Sequence, residues 1–218
     1  MGEGIAHMIS PLTAPWCGWT MLVLMLFAIL SEWLQPGVIS QATASLTVRM
    51  ERTYKEAPTN FLAQTLITLF RLGTLALGLC LCFGLDGHFS FVGFIAVCSI
   101  IFGVTLVKML CNVLVDYTFQ LSRVYGDAYE HYSNIFTLAM VALYPLLLIF
   151  LHIGSQAATR WLMGIMAVLF FVLWLYRSAR QYIRTPQAIL YLLIYMLTLE
   201  FLPMAGIIVL SAKTISNI

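Results

Sequence analysis

Glu200 is the residue whose type and position are hardest to reconcile with an inert role. It lies in the run Leu199-Glu200-Phe201-Leu202-Pro203, with apolar sequence on both sides. A carboxylate near the middle of a membrane helix costs about 2.5–3.5 kcal/mol on insertion scales, so it must face protein or water, or carry a proton. Pro203 has no N–H to give the carbonyl of Leu199. That leaves a free backbone acceptor one residue from the carboxyl group, placed to take a hydrogen bond from a protonated Glu200.

Arg71 and Lys108 are basic residues set in apolar sequence. Counted from the end that the charge bias described below assigns to the cytoplasm, Glu200 lies roughly 18 Å deep, Arg71 roughly 13 Å and Lys108 roughly 10 Å. Arg71 is therefore the better-matched partner for Glu200, while Lys108 is shallow enough to snorkel along its own stem. Two readings of the Glu200 and Arg71 pair stay open. One is an ion pair or hydrogen-bonded acid that fixes the packing of two helices; the other is a proton-titrating site whose charge changes during a working cycle. Glu32 and Asp116 fall near the cytoplasmic boundary, where a proton path would begin and where a carboxylate can equally be solvated.

The remaining candidates point to less chemistry. His88 and His152 map to the opposite boundary, and nothing in their spacing sets them face to face as ligands, so no metal and no cofactor is expected. Pro145 frees the carbonyl of Val141 and, with Pro203, is a candidate helix break. Cys80, Cys82, Cys98 and Cys111 lie inside apolar runs, where a thiol behaves as a small hydrophobe, and none forms a C-x-x-C pair. No disulfide framework is implied. There is no H-E-x-x-H, no G-x-S-x-G, no phosphate-cradling glycine loop and no carboxylate cluster, so no catalytic residue is assigned and the reading leans away from an enzyme.

The elements that must position these residues are membrane helices. The chain has 218 residues, of which 61% are hydrophobic and 9% charged, with a mean hydropathy of +0.95. A water-exposed surface cannot be built from that inventory. Apolar runs at 19–34, 62–85, 91–115, 135–153, 161–176 and 188–210 predict an all-α, polytopic membrane bundle of about six helices forming a single integral domain over 1–218. The first and fifth runs are near the short limit for spanning roughly 30 Å of hydrocarbon. Asp86-Gly87-His88 and Gly154-Ser155-Gln156 are turns that make helical hairpins of the second and third runs and of the fourth and fifth. The first run has no Lys or Arg ahead of it and is read as a retained helix, not a cleaved signal.

Lys and Arg fall unevenly between these runs. Arg49, Arg52 and Lys55 separate the first two, Arg123 the third and fourth, and Arg177, Arg180 and Arg184 the last two, whereas the alternate side has Arg160 and Lys213. The bias predicts that both termini face away from the cytoplasm. Ser45 to Glu56 mixes apolar and charged residues and reads either as a segment on the lipid surface or as a solvated loop. The net charge of +2 gives no basis for nucleic-acid binding.

From Val107 onward the order of features is distinctive: Lys108, Tyr132-Ser-Asn-Ile-Phe, Leu143-Tyr-Pro-Leu-Leu, Tyr176-Arg-Ser-Ala-Arg and Leu190-Tyr-Leu-Leu-Ile-Tyr-Met-Leu-Thr-Leu-Glu-Phe-Leu-Pro. These residues resemble a family of multi-pass inner-membrane proteins of Bacteroidetes catalogued as a domain of unknown function. The resemblance is strongest in the C-terminal half and most specific at Tyr191, Tyr195, Glu200 and Pro203. It implies a bacterial cytoplasmic membrane, and it makes Lys108, Pro145, Arg177, Tyr191, Tyr195, Glu200 and Pro203 candidates without assigned roles.

The function expected from the residues is that of a non-enzymatic subunit or scaffold of an envelope membrane complex, in contact with the lipid bilayer and with a membrane-protein partner or a second copy. Lateral helix faces are then its largest recognition surface. A small proton-coupled transporter or energy-coupling protein centred on Glu200 is the alternative, and a membrane-embedded enzyme acting on lipid or an isoprenoid comes third.

Overall fold

A chain that runs through lipid must satisfy every backbone N–H and C=O within itself, and for charge-free runs of about twenty residues the helix does this one segment at a time. The computed structural model describes residues 15–37, 39, 43, 60–83, 90–119, 122–153, 156–182 and 202–216. Among these it has six helices and no strand: α1 (Pro15–Leu34), α2 (Phe61–Phe83), α3 (Phe91–Phe119), α4 (Ser122–Ile153), α5 (Gln156–Tyr182) and α6 (Leu202–Ser216). The protein is an all-α membrane bundle. Trp16–Leu34, Phe61–Phe83, Phe91–Cys111 and Ala157–Tyr176 are each long and apolar enough to cross a membrane, and Ser133–Ile149 and Leu202–Ile215 are shorter apolar stretches.

Several helices outrun the apolar sequence. α4 starts at Ser122, ahead of the apolar run at Ile135, and its 32 residues reach about 48 Å at 1.5 Å per residue. That exceeds the roughly 30 Å of hydrocarbon, because a helix does not stop where lipid stops but where caps and turns end it. α5 likewise extends past both ends of the 161–176 run. The last apolar run falls within the described residues only from Leu202. Ser45 to Glu56 and the turn at Asp86-Gly87-His88 lie outside them.

The helix starts follow capping chemistry. Asn60 Oδ1 accepts from the Leu62 N–H at 3.1 Å, and Ser90 Oγ accepts from the N–H groups of Val92 at 3.1 Å and Gly93 at 3.3 Å. α1 is closed at its other end by Glu32, whose carboxylate accepts from the Gly37 N–H at 2.7 Å and the Ile39 N–H at 3.0 Å. Gly37 has φ of 97°, a backbone state that a side chain would strain.

α2 is the axis of the bundle and packs against each of the other five helices. Of its apolar window 67% is buried, against 22%, 11% and 17% for the windows of α1, α3 and α5. Ala63, Gly73, Ala76 and Gly78 lie along this buried length, and small residues let helix backbones approach closely. Leu24 of α1 fills the space over Gly73, and Met163 of α5 lies against Gly78.

These contacts also set direction. Gln35 Oε1 accepts from the Asn60 N–H at 3.3 Å, and Leu24 meets Gly73 further along, so α1 and α2 are antiparallel. Ser133 bonds Arg71 and Leu147 reaches Gly78, so α4 runs with α2. Cys82 Sγ donates to the Thr159 carbonyl at 3.8 Å while Met163 meets Gly78, so α5 runs against it. Trp16 packs on Phe91 and Phe94 at 5.7 and 5.9 Å between ring centroids, which sets the start of α3 beside the start of α1. The bundle thus has an Asn60 end and a Cys82 end.

Candidate functional site

Arg71 is the eleventh residue of α2, about 15 Å from the start of the helix, and only 8% of it is exposed. A guanidinium carries its charge at any pH a protein meets and offers five N–H donors in a fixed fork. α2 and α4 supply acceptors for that fork. Nη1 donates to the hydroxyl of Ser133 at 2.6 Å and to its carbonyl at 3.1 Å, Nε to the Ile67 carbonyl at 3.3 Å, and Nη2 to Thr68 Oγ1 at 3.0 Å. The Thr68 hydroxyl in turn donates to the Gln64 carbonyl at 2.7 Å, and the Thr137 hydroxyl donates to the Ser133 carbonyl at 2.8 Å. The head of Arg71 points back along α2 toward the Asn60 end and lies between α2 and α4.

This cradle spreads positive charge over hydroxyls and carbonyls. Such neutral acceptors stabilise a buried cation less than a carboxylate does, yet they can rotate or exchange without a second charge being uncovered. The Arg71 head is fixed in place between α2 and α4.

Beside the cradle is a second packed cluster of Ile135, Phe170 and Trp174, against which Met204 of α6 rests. Ile135 follows Ser133 by two positions on α4. α6 itself packs on α3 and on α2, the helix that carries Arg71. Pro203 is the second described residue of α6 and is partly buried. Glu200, Tyr191 and Tyr195 lie outside the described residues.

Lys108 is partly buried on α3, three residues before the end of its apolar window, at the Asn60 end. Pro145 lies inside α4, which continues on both sides of it, and is exposed. The residue before it, Tyr144, donates its hydroxyl to the Met21 carbonyl at 2.8 Å and packs on Phe70 at 5.7 Å between centroids. One side chain thus joins α1, α2 and α4 next to the proline.

Glu32 proves to be the clasp of the α1 turn, a role its position near a membrane boundary does not announce. The side chains of Asp116, His152 and Arg177, and the whole of His88, lie outside the described residues. Among the described residues no group of three His, Cys, Asp or Glu side chains is placed to hold a metal ion. Arg160, at the Cys82 end, donates through Nε to the Cys82 carbonyl at 2.7 Å. A cation there satisfies a carbonyl in the last turn of α2 and complements the helix dipole. The holders of Arg71 were missed from sequence. Thr68, three residues ahead of Arg71 and on the same side of the helix, was a legible signal; Ser133, far along the chain, was not.

One protein-family model, described as Domain of unknown function (DUF4271), matches residues 18–210. The match covers Arg71, Lys108, Pro145, Tyr191, Tyr195, Glu200 and Pro203, and takes in α1 and α2 as well as the C-terminal half. No curated protein and no solved structure matches the chain.

Proposed function

This chain belongs to the DUF4271 family of unknown function, and from that premise we propose that it is a multi-pass protein of the bacterial cytoplasmic membrane, of Bacteroidetes type, serving as a non-enzymatic subunit or scaffold of an envelope complex. The observation that carries this reading is the contrast between α2 and the helices around it. α2 is consumed by internal packing, while only 22%, 11% and 17% of the apolar windows of α1, α3 and α5 are buried. Outward faces on three long helices are the area that lipid and partner helices share, and partners bind there through shape and interhelical hydrogen bonds.

The orientation belongs to the same proposal. α1 ends, α2 begins, α3 ends, α4 begins and α5 ends at the Asn60 end, so the connection bearing Arg49, Arg52 and Lys55, the first turn of α4 with Arg123, and the chain after α5 bearing Arg184 belong to that end. Arg160 and Lys213 belong to the other. Six crossings, a cytoplasmic Asn60 end and non-cytoplasmic termini follow from the excess of basic residues.

Affinity purification of a tagged copy at native expression, after mild crosslinking in membranes, tests the reading. A stoichiometric membrane or periplasmic partner is expected. Recovery of the chain alone, or with itself alone, overturns the heteromeric subunit.

A second reading is favoured by the Arg71 cradle: a small proton-coupled transporter or energy-coupling protein in which Glu200 titrates against Arg71. Met204, four residues after Glu200, packs against the Ile135, Phe170 and Trp174 cluster, and Arg71 is buried at mid-span with donors on Ser133 and Thr68. Under this reading Glu200→Gln abolishes function at normal abundance. If Gln preserves function and only Leu destabilises, the residue is structural.

A further inference from the structure

Three exposed tryptophans and an exposed tyrosine mark two levels of the bundle: Trp19 and Trp33 on α1, Trp161 and Tyr176 on α5. Their heights follow from the register on α2. In packed antiparallel helices, paired positions move by equal steps in opposite directions. Leu24 meets Gly73, which sets Trp19 level with Gly78 and Trp33 level with Gln64. Met163 meets Gly78, which sets Trp161 level with Cys80 and Tyr176 level with Thr65. Two helices that reach α2 through separate contacts thus place their outer aromatic residues at the same two heights, to within two residues.

Exposed indole and phenol rings on membrane helices settle at the headgroup level, with the apolar body in lipid and the polar edge in water. Charge agrees with that placement. Glu32 stands beside Trp33, and Arg160 and Arg177 directly flank Trp161 and Tyr176, with no charged residue between. The two levels are close together: Trp19 and Trp33 are fourteen residues apart, about 21 Å of helix, and Trp161 and Tyr176 fifteen, about 23 Å. Side chains on a helix lean toward its N-terminus, so ring spacing follows Cα spacing, and any tilt of the helix only shortens it.

An ordinary bilayer has about 30 Å of hydrocarbon. α3 matches it, since its exposed apolar residues run from Val92 to Leu114, about 33 Å. α1 and α5 fall short of it by about a quarter. We infer that the outward faces of α1 and α5 are built for a thin lipid annulus, and that short-chain phospholipids are the partner these faces fit. A short hydrophobic face in a thicker bilayer draws the lipid in around itself, so α1 and α5 pinch the membrane while α3 spans it at full thickness. The pinch is a property of this chain alone, with or without a protein partner.

The test needs no variant. All five tryptophans of the chain lie on α1 and α5, so tryptophan emission reports the lipid at those faces and at no other. The full chain is reconstituted in vesicles that mix a brominated phosphatidylcholine, which quenches the indoles it touches, with dimyristoleoyl-, dioleoyl- or dierucoyl-phosphatidylcholine as competitor. The short-chain dimyristoleoyl lipid is expected to relieve quenching best, with a relative affinity at least about two-fold above that of the dioleoyl lipid, and the long-chain dierucoyl lipid least. In dioleoyl-length bilayers with bromines placed at successive chain depths, those nearest the glycerol should quench most. Equal relief by the three competitors, or an order that favours longer chains, overturns the inference. So does strongest quenching by bromines near the chain ends, or emission that no brominated lipid quenches, which is the result of α1 and α5 facing protein.

Discussion

One nitrogen of Arg71 binds Ser133 twice: Nη1 donates to its hydroxyl at 2.6 Å and to its carbonyl at 3.1 Å. A side chain of the central helix is thereby hydrogen-bonded to the backbone of α4, at the level where α4 leaves its polar first turns and becomes apolar. Ser133 accepts on two atoms, and the carbonyl it offers also accepts from Thr137. The relationship makes Arg71 a structural joint before any partner acid is considered.

Arg71→Lys keeps the charge, but a single ammonium cannot hold Ser133 and Thr68 in the geometry of the fork. A loss of about 1–3 kcal/mol is expected for the broken charged hydrogen bonds, read as a lower midpoint of SDS-induced unfolding. The proposed pairing with Glu200 is tested by a cycle of Arg71→Met, Glu200→Gln and the double variant. If the groups meet, the double variant costs less than the sum of the singles by about 1–3 kcal/mol. Additivity within about 0.5 kcal/mol removes Glu200 from the surroundings of Arg71.

The helical membrane class was legible because charge-free runs leave the chain no other means of satisfying its backbone. Which helix is central was not legible from hydropathy: α3 has the most apolar candidate span and the least buried. Lipid and protein interior ask for the same apolar side chains, so hydropathy cannot tell a lipid-facing surface from a core. The usable signal was composition within the run, where α2 interleaves Ala63, Gly73, Thr74, Ala76 and Gly78 with large residues. Arg71 was legible as a buried charge by its depth. Its holder on α4 was not, since the register between two helices distant in sequence depends on packing that no single run encodes. Glu32 was misleading for the opposite reason: a carboxylate at a helix end reads as solvated, and only Gly37, five residues on, hints at the turn it clasps.

Tyr144→Phe removes one hydroxyl from the link between α4 and the Met21 carbonyl while preserving the ring contact with Phe70. Interhelical hydrogen bonds in membrane proteins average about 0.6 kcal/mol, so a loss of about 0.5–1 kcal/mol is expected on unfolding in SDS. A loss above about 2 kcal/mol would mean that the hydroxyl holds more than the α1 carbonyl, since that exceeds the largest single bonds of this kind.

Glu32→Ala releases the N–H groups of Gly37 and Ile39 together. Gly37→Ala strains the backbone at φ of 97° while leaving the carboxylate intact. Both should loosen the end of α1, each by about 1–2 kcal/mol. The readout is faster hydrogen exchange at residues 31–39 with unchanged protection in α5. Uniform acceleration over the whole bundle would instead show that the clasp sustains global stability.

Gly73 and Gly78 separate two kinds of close approach on one helix. Alanine in place of glycine inside a helix gains about 1 kcal/mol from backbone entropy, so the sign of each change depends on what the new methyl meets. At Gly78 it meets the Cε and Sδ atoms of Met163, both at 2.8 Å, and these belong to the mobile end of an adaptable side chain. Gly78→Ala should therefore be neutral or mildly stabilising. At Gly73 it meets both Cδ atoms and the Cγ of Leu24, so the whole branched side chain must move in the seam where α1 seats on α2. Gly73→Ala should cost about 1–3 kcal/mol from overpacking, and Leu24→Ala combined with it should cost less than the two changes added. SDS unfolding of the four chains and wild type decides the matter: equal effects at both glycines, or simple additivity with Leu24→Ala, would mean that α1 is not held against α2 by this contact.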